Sequence, residues 1–460
     1  MIADAPARAQ VQNIMNFNGR YGCNICEIRT VRAKKIDGKK TCRIYPFKID
    51  CRLRTGTRME AQAQKLLKSS PKNQIRGVKG YSSMSCLPLV DVGTCVLPEY
   101  MHSVLLGVIK QFVSLHVDKP GLWSIKNKME EINNFILGIQ PPDSFSRLPR
   151  ELSQYNLYKA YEFYNYLFFY SVPLLSNYLP EKYFQHWLLL VKAIHNLVKD
   201  TIEIADLEES DKLLKLFVSQ IENLYNDRQL TYNVHQLVHL VLCVKRWGPL
   251  RGTSAFAFEN YNGFIAKCVH GKKHFAQEIV NNIQIAQGVQ LLKNRINENS
   301  GNFTEINELK NYQASGKISN FKFSDKERYL FHSKGFDLTS IAIYSRAKIN
   351  TIVYTSEIYK IIKTNNYTVL IKADDSIIYG TVRFFAEIEE DLWIVIHRLT
   401  VDHTKIFYHE QTRSKIEHIV PVQNSDNFIL INLKNINLIT QLVRVSNYVC
   451  KNISAINTVW

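Results

Sequence analysis

The chain has 460 residues, 46% hydrophobic and 22% charged, an ordinary globular composition with length for two or three cores, which excludes a disordered or low-complexity protein. Its formal charge of +17 is unevenly placed: residues 1–80 hold 18 Lys and Arg against 5 Asp and Glu, the electrostatic footprint of a polyanion partner, above all nucleic acid. Nine scattered cysteines suit reduced thiols and a metal knuckle of an intracellular protein better than a disulfide framework, MIADAPARAQ lacks the apolar core of a secretion signal, and no apolar run reaches membrane-spanning length.

In chain order, residues 1–3 read as the end of a strand, with Asp4 at its carboxyl end and a helix following over residues 7–15, Pro6 in its first turn. An acid at a strand end is where an α/β sheet builds a metal-dependent site. Cys23 and Cys26 then form a Cys-x-x-Cys knuckle, YGCNIC, whose tight turn brings two thiolates onto one ion. Residues 27–80 are basic, with short strands expected over 40–46 and a helix over 57–67. Arg52, Arg54 and Arg58 cluster there as candidate contacts to a phosphate backbone. Pro98 and Glu99 fit the start of a helix, and the helical period continues to about residue 298, interrupted where Pro173 should end or kink one helix.

Within that block, residues 233–259 carry two features. His235 and His239 are four apart, one turn above the other on one helix face, the arrangement that supplies two ligands to a metal. With Cys23 and Cys26 they complete a tetrahedral Zn²⁺ shell, too widely spaced in sequence for a finger and so a staple between the N-terminal region and a helix. Glu259 is a single acid in the apolar and aromatic run AFAFENY, costly there without a partner, for which Arg251 or Lys267 is the ordinary candidate and a divalent cation the functional one. After an Asn- and Lys-rich linker at 299–327 the period changes to two, predicting a separate small all-β domain, a barrel or sandwich, over 328–460.

Taken together, residues 4–8 (DAPAR), 22–26 (GCNIC), 100–108 (YMHSVLLGV), 233–240 (NVHQLVHL), 258–263 (FENYNG) and 270–271 (HG) resemble the DDE transposases of the CACTA-like cut-and-paste group. The resemblance extends over about residues 1–275. It implies an RNase H-like sheet interrupted by a helical insertion, with two Asp and one Glu holding two Mg²⁺ ions for DNA cleavage and strand transfer. On that resemblance Asp4 is the second catalytic Asp, Glu259 the catalytic Glu, and Glu99 with His102 stands where the family has Asp-x-x-His, the acid here one methylene longer. The family's first catalytic Asp lies on a strand well upstream of DAPAR, whereas this sequence starts three residues before Asp4, and neither Asp50 nor Asp91 can replace it in chain order. The chain alone is therefore expected to be inactive: a truncated, decayed or domesticated copy.

The expected architecture is α+β and multi-domain: a partial RNase H-like core with the zinc knuckle over 1–98, an all-α insertion over 99–298, the linker, and the β domain. The expected function is a transposase-derived, nuclear DNA-binding protein with structural Zn²⁺ and, if active, catalytic Mg²⁺. DNA is the expected partner and a homodimer is left open, with no membrane and no small-molecule substrate. A non-enzymatic, zinc-stapled nuclear DNA-binding or interaction protein is the alternative. A metallohydrolase built on His235, His239 and Glu259 lacks a third ligand at a suitable spacing.

Overall fold

The computed structural model describes residues 1–34, 41–68, 73–271, 273–295 with backbone continuing to 300, 312–359, 363–373 and 376–451. Lys40, the first residue of one expected strand, and residues 301–311 of the expected linker lie outside the described residues.

The N-terminal region is held by loops more than by a sheet. Asp4 caps the helix Ala5–Val11, its Oδ1 accepting from the Ala7 amide at 2.9 Å, and Pro6 lies in the first turn where no amide is needed. Residues 1–3 are not a strand, contrary to expectation: the terminal amine donates to the Cys95 carbonyl and no strand pairs beside them. Before Met101 the described residues form one small ribbon, β1 (Val31–Arg32) antiparallel to β2 (Arg43–Ile44), and no parallel pairing occurs among the described strands, so they do not make an RNase H-like sheet. The helix Gly56–Lys68 follows, its start fixed by the Asp91 carboxylate accepting from the Gly56 amide at 2.9 Å.

The helical block is as predicted in kind but not in detail. Its first helix begins as a π-helix, Met101–Ile109, and continues as Lys110–Asp118. A second π-helical stretch, Tyr166–Tyr170, stands before Ser171–Tyr178 and places Pro173 in the first turn of that segment, so the chain runs through the proline rather than ending there. The helix Glu181–Val198 is buried along nearly its whole length, including the polar residues His186, Lys192, His195 and Asn196. It packs along Ile204–Leu224, and Phe112, Trp187, Phe217 and Tyr225 meet at its centre. Trp187 satisfies its one donor on the Ser171 hydroxyl at 2.9 Å. The last two helices, Phe256–Lys267 and Phe275–Ser300, differ: the first buries none of its residues, and Phe258, Tyr261, Phe264, Ile285, Leu291 and Leu292 are exposed along the pair.

The C-terminal strands are β3 (Tyr312–Ile318), β4 (Ala342–Ile349), β5 (Ile352–Thr355), β6 (Thr368–Ala373), β7 (Ser376–Ile388), β8 (Asp391–Val401), β9 (Ile419–Asn432), β10 (Ile436–Val445) and β11 (Tyr448–Lys451). Every pairing is antiparallel, and the order β7-β6-β10-β11-β9-β8 closes on itself through β7 and β8, making a six-stranded barrel whose ring has no free edge. β7 can serve β6, β4 and β8 because it is long and bulged between Val382 and Phe384. Two boundaries move. β3 and the start of the helix Asp325–His332 fall inside the expected linker, so the β unit begins by Tyr312. Nor is it separate: Ile416, Ile419, Val443, Val445 and Cys450 join the same apolar core as the helical block. At that joint the rings of His195 and His418 stack at 4.0 Å and 10°, and burial lowers the pKa of both.

Candidate metal centre and carboxylate cluster

The Cys knuckle is built from the outside in. A Cβ on Gly22 would lie 2.3 Å from the Asn16 carbonyl oxygen, so the loop can pass there only with glycine. Cys26 bridges Leu53 in antiparallel fashion, and the Arg54 guanidinium, buried, donates to the carbonyls of Cys23 at 2.8 Å, Tyr21 at 3.1 Å and Arg76 at 3.0 Å. Gln12 donates to the Asn24 carbonyl at 3.2 Å and the Tyr232 hydroxyl to the Asn24 side chain at 2.7 Å. Facing the knuckle, Thr231 caps the helix Tyr232–Gln236, and a 3₁₀ turn over Leu237–His239 keeps His235 and His239 on one face. Tyr45 stacks on His235 with 5.1 Å between centroids.

The four ligand atoms converge. His235 Nε2 lies 3.2 Å from His239 Nε2, Cys26 Sγ 3.3 Å from His235 Nε2, and Cys23 Sγ 3.7 Å from His239 Nε2; all four atoms fall within 4.8 Å of one another, on four buried residues. A tetrahedron with Zn–N and Zn–S bonds of about 2.0 to 2.3 Å sets its corners roughly 3.3 to 3.8 Å apart, so the geometry and the donor chemistry both fit Zn²⁺. Cys23 Sγ also accepts from the amides of Ile25 and Cys26 and from Gln236 Nε2, each at 3.4 Å, which favours a thiolate. Burial opposes that charge, yet the Cys26 thiol and the two imidazoles hold the Cys23 pKa well below the ordinary thiol value. Cys26 moves the opposite way, raised by sharing its proton with Cys23 and Cys51 and by burial. Two thiols sharing a proton titrate as a pair, and a divalent cation takes that proton's place. Four protein ligands would close such a shell and leave no position for water, which tells against a metallohydrolase on His235, His239 and Glu259. Among the described residues this is the one group of three or more such side chains placed to hold an ion.

The second constellation joins the start of the insertion to residue 259. Glu99 is fully buried; its Oε1 accepts from the amides of Met101 and Ala255, each at 2.7 Å, and its Oε2 from the His102 amide at 2.8 Å and the His102 Nδ1–H at 2.6 Å. Through Ala255 it pins the residue preceding the helix that carries Glu259. His102 then reaches across, its Nε2 3.3 Å from Glu259 Oε1. Arg251 pairs with Asp200 instead. The Glu99 hydrogen bond, against partial burial, raises the His102 pKa, and the charges of Glu99, Glu259 and Asp4 add to it, so Asp4 acts on the same imidazole. Burial pushes the Glu99 carboxyl up, but the His102 ring and the three amides bring it below its ordinary value.

His102, raised in the fold, contributes stability fully below its ordinary value of 6.5 and loses it as pH rises through the raised one. Glu99, lowered, contributes fully above 4.5 and loses it as pH falls through its lowered one. An NMR titration should place the His102 ring above 6.5, and Glu99→Gln should bring it down; a ring titrating at the ordinary value in both would refute the pairing.

The arginine cluster divides. Arg54 is buried as a brace for the knuckle and so is not offered to a phosphate backbone as expected; Arg58 is half-buried and donates to the Leu53 carbonyl, and Arg52 is exposed. Exposed cations of the N-terminal region include Arg20, Arg29, Arg32, Arg43, Lys48 and Arg52. Sequence reasoning also missed Cys51, half-buried beside Cys26, whose hydrogen bond draws the Cys51 thiol down to about 7. No spacing signal marks it. The chain matches no protein-family model, no curated protein and no solved structure.

Proposed function

We propose that the chain is a transposase-derived DNA-binding protein, in which Asp4 and Glu259 are the remnant of a DDE active site and the zinc centre is structural. The observation that carries the reading is the bridge from Glu99 through His102 to Glu259, which joins two of the motifs that resemble the CACTA-like group across 156 residues at Ala255. Asp4, from a third motif, acts on the same histidine. Mg²⁺ is commonly held by one or two carboxylates together with substrate phosphate. Asp4 and Glu259 are the residues that would hold it here, and its chemistry would be to polarise a phosphodiester. All the hydrogen bonds Glu99 accepts come from amides and an imidazole, so it orients rather than ligates.

Two carboxylates do not position both ions of an in-line displacement, so Mg²⁺-dependent nicking by these 460 residues should be undetectable on supercoiled DNA. Nicking abolished by Glu259→Ala would overturn that. Binding itself should be electrostatic. Arg32, Arg43 and Arg52 changed together to Gln should flatten the log–log salt dependence by about 0.9 for each phosphate no longer neutralised. Arg54→Gln should instead lower stability, its brace to three carbonyls being cut. An unchanged slope in the triple variant moves the DNA surface off these residues.

A further inference from the structure

We propose that the cleft beside the zinc centre receives a single unpaired nucleotide of a DNA strand. The inference rests on the DNA-binding reading above and adds a ligand subsite to it. The cleft encloses about 540 Å³, within the roughly 300 to 1,000 Å³ of cavities that take small organic ligands. Three rings line it. Tyr45 gives one face to His235 and meets Tyr232 edge-on at 5.6 Å, while Phe17 is tilted on Tyr232 at 5.8 Å and is 39% exposed, so Phe17 is the ring with a face to offer.

The tyrosine hydroxyls point inward: Tyr45 donates to the Phe17 carbonyl and Tyr232 to Asn24. What the cleft presents is therefore aromatic carbon rather than phenol. Its charge is supplied by Arg43 and Arg228, and among the described residues no acidic side chain lines it. Arg43 makes one long bond to the Thr30 hydroxyl at 3.4 Å, and a guanidinium has five N–H groups, so phosphate can be met without breaking the fold. An aromatic face and a guanidinium together are the chemistry that holds a base and its phosphate.

Position strengthens the assignment. Ala5, the residue after Asp4, forms part of the wall, so a nucleotide seated here lies against the start of the helix that Asp4 caps. Duplex DNA must unstack a base to fill such a cleft, which is least costly at a bulge or mismatch. The neighbouring cleft of about 460 Å³, between Cys51 and His239, has one phenyl ring in its wall, Phe47, and sets Asp50 and Asp211 among Lys48, Arg52 and Lys215.

The test uses the full chain and three probes of one sequence: a perfect duplex of about 20 base pairs, the same duplex with one bulged adenosine, and that duplex with deoxyadenosine monophosphate added as competitor to the bulged form. The native chain should prefer the bulged duplex by about tenfold, since stacking one base on an aromatic ring contributes about 1 to 3 kcal/mol and about 1.4 kcal/mol is tenfold. Phe17→Ala should erase the preference and leave the affinity for perfect duplex, its salt slope and the zinc content unchanged; Phe17→Trp should keep the preference. Equal affinity of the native chain for both duplexes, or a preference that survives Phe17→Ala, overturns the cleft while leaving general DNA binding intact. Displacement of the bulged duplex by micromolar nucleotide would overturn it in favour of a free nucleotide as ligand. Failure to bind any duplex defeats the DNA-binding reading itself.

Discussion

Cys23→Ser or His239→Ala should yield protein without zinc, and with it an N-terminal region no longer fastened to the helical block. The ligands lie on segments 209 and 216 residues apart, which are otherwise joined there by single hydrogen bonds such as Tyr232 to Asn24 and the Tyr45 amide to the Leu230 carbonyl, and by a small apolar cluster. Structural Zn²⁺ in small domains contributes about 10 to 16 kcal/mol of apparent binding free energy at neutral pH, and even half of that equals the total stability of about 5 to 15 kcal/mol that a domain normally has. Elemental analysis of the native chain should find one zinc per chain, none in either variant, and a melting temperature that falls on chelation. Because the thiols and imidazoles must lose protons to bind, the metal should also be released as pH falls. A native chain that is free of zinc and melts identically with and without chelator would mean that the four side chains staple nothing.

Glu99→Ala should be the most damaging single change outside that centre. It strips acceptors from the amides of Met101, His102 and Ala255 and from the His102 ring, around a carboxylate that is wholly buried. Each buried donor left unsatisfied costs about 1 to 3 kcal/mol, and breaking a buried charged pair from one side costs about 3 to 5 kcal/mol. Denaturant unfolding should therefore show a loss in that upper range. Glu259→Ala, at an exposed position, should change stability by about 0.5 kcal/mol or less. A loss under about 1 kcal/mol for Glu99→Ala would mean that water replaces the carboxylate and that the clamp does not position residue 259.

What could be read in advance depended on whether the signal was local. Cys-x-x-Cys and His-x-x-x-His each place two donors by the geometry of one turn, so the four side chains that converge are legible from two short motifs. The alternation in β6, β7 and β8 is likewise written into each strand. The Glu99–Ala255 bond is not, because nothing near residue 99 says which distant amide will meet it. Arg54 shows the opposite failure: its charge suggested a surface, whereas three carbonyls of the knuckle needed a donor inside. Residues 1–3 have strand-like composition but no partner strand beside them. β3 and β11 are short or polar and carry no clear period, and β4 and β10, interrupted by polar and basic residues, are not legible either. The π-helical stretches are invisible to a pattern of three and four, since they change the register of the backbone and not the residues.

The sharing of one apolar core between the barrel and the helical block bears on how the protein comes apart. A module on a tether melts alone, at its own temperature, and can be trimmed away without harm. Here Val443, Val445 and Cys450 of the last strands are packed against helices begun near residue 160, and the Cys450 thiol donates to the Phe169 carbonyl at 3.5 Å. Removing the final strands would open the barrel and uncover the helices in the same act. The two therefore form one cooperative unit, in which the C-terminal end of the chain acts as a keystone for a helical region laid down long before it.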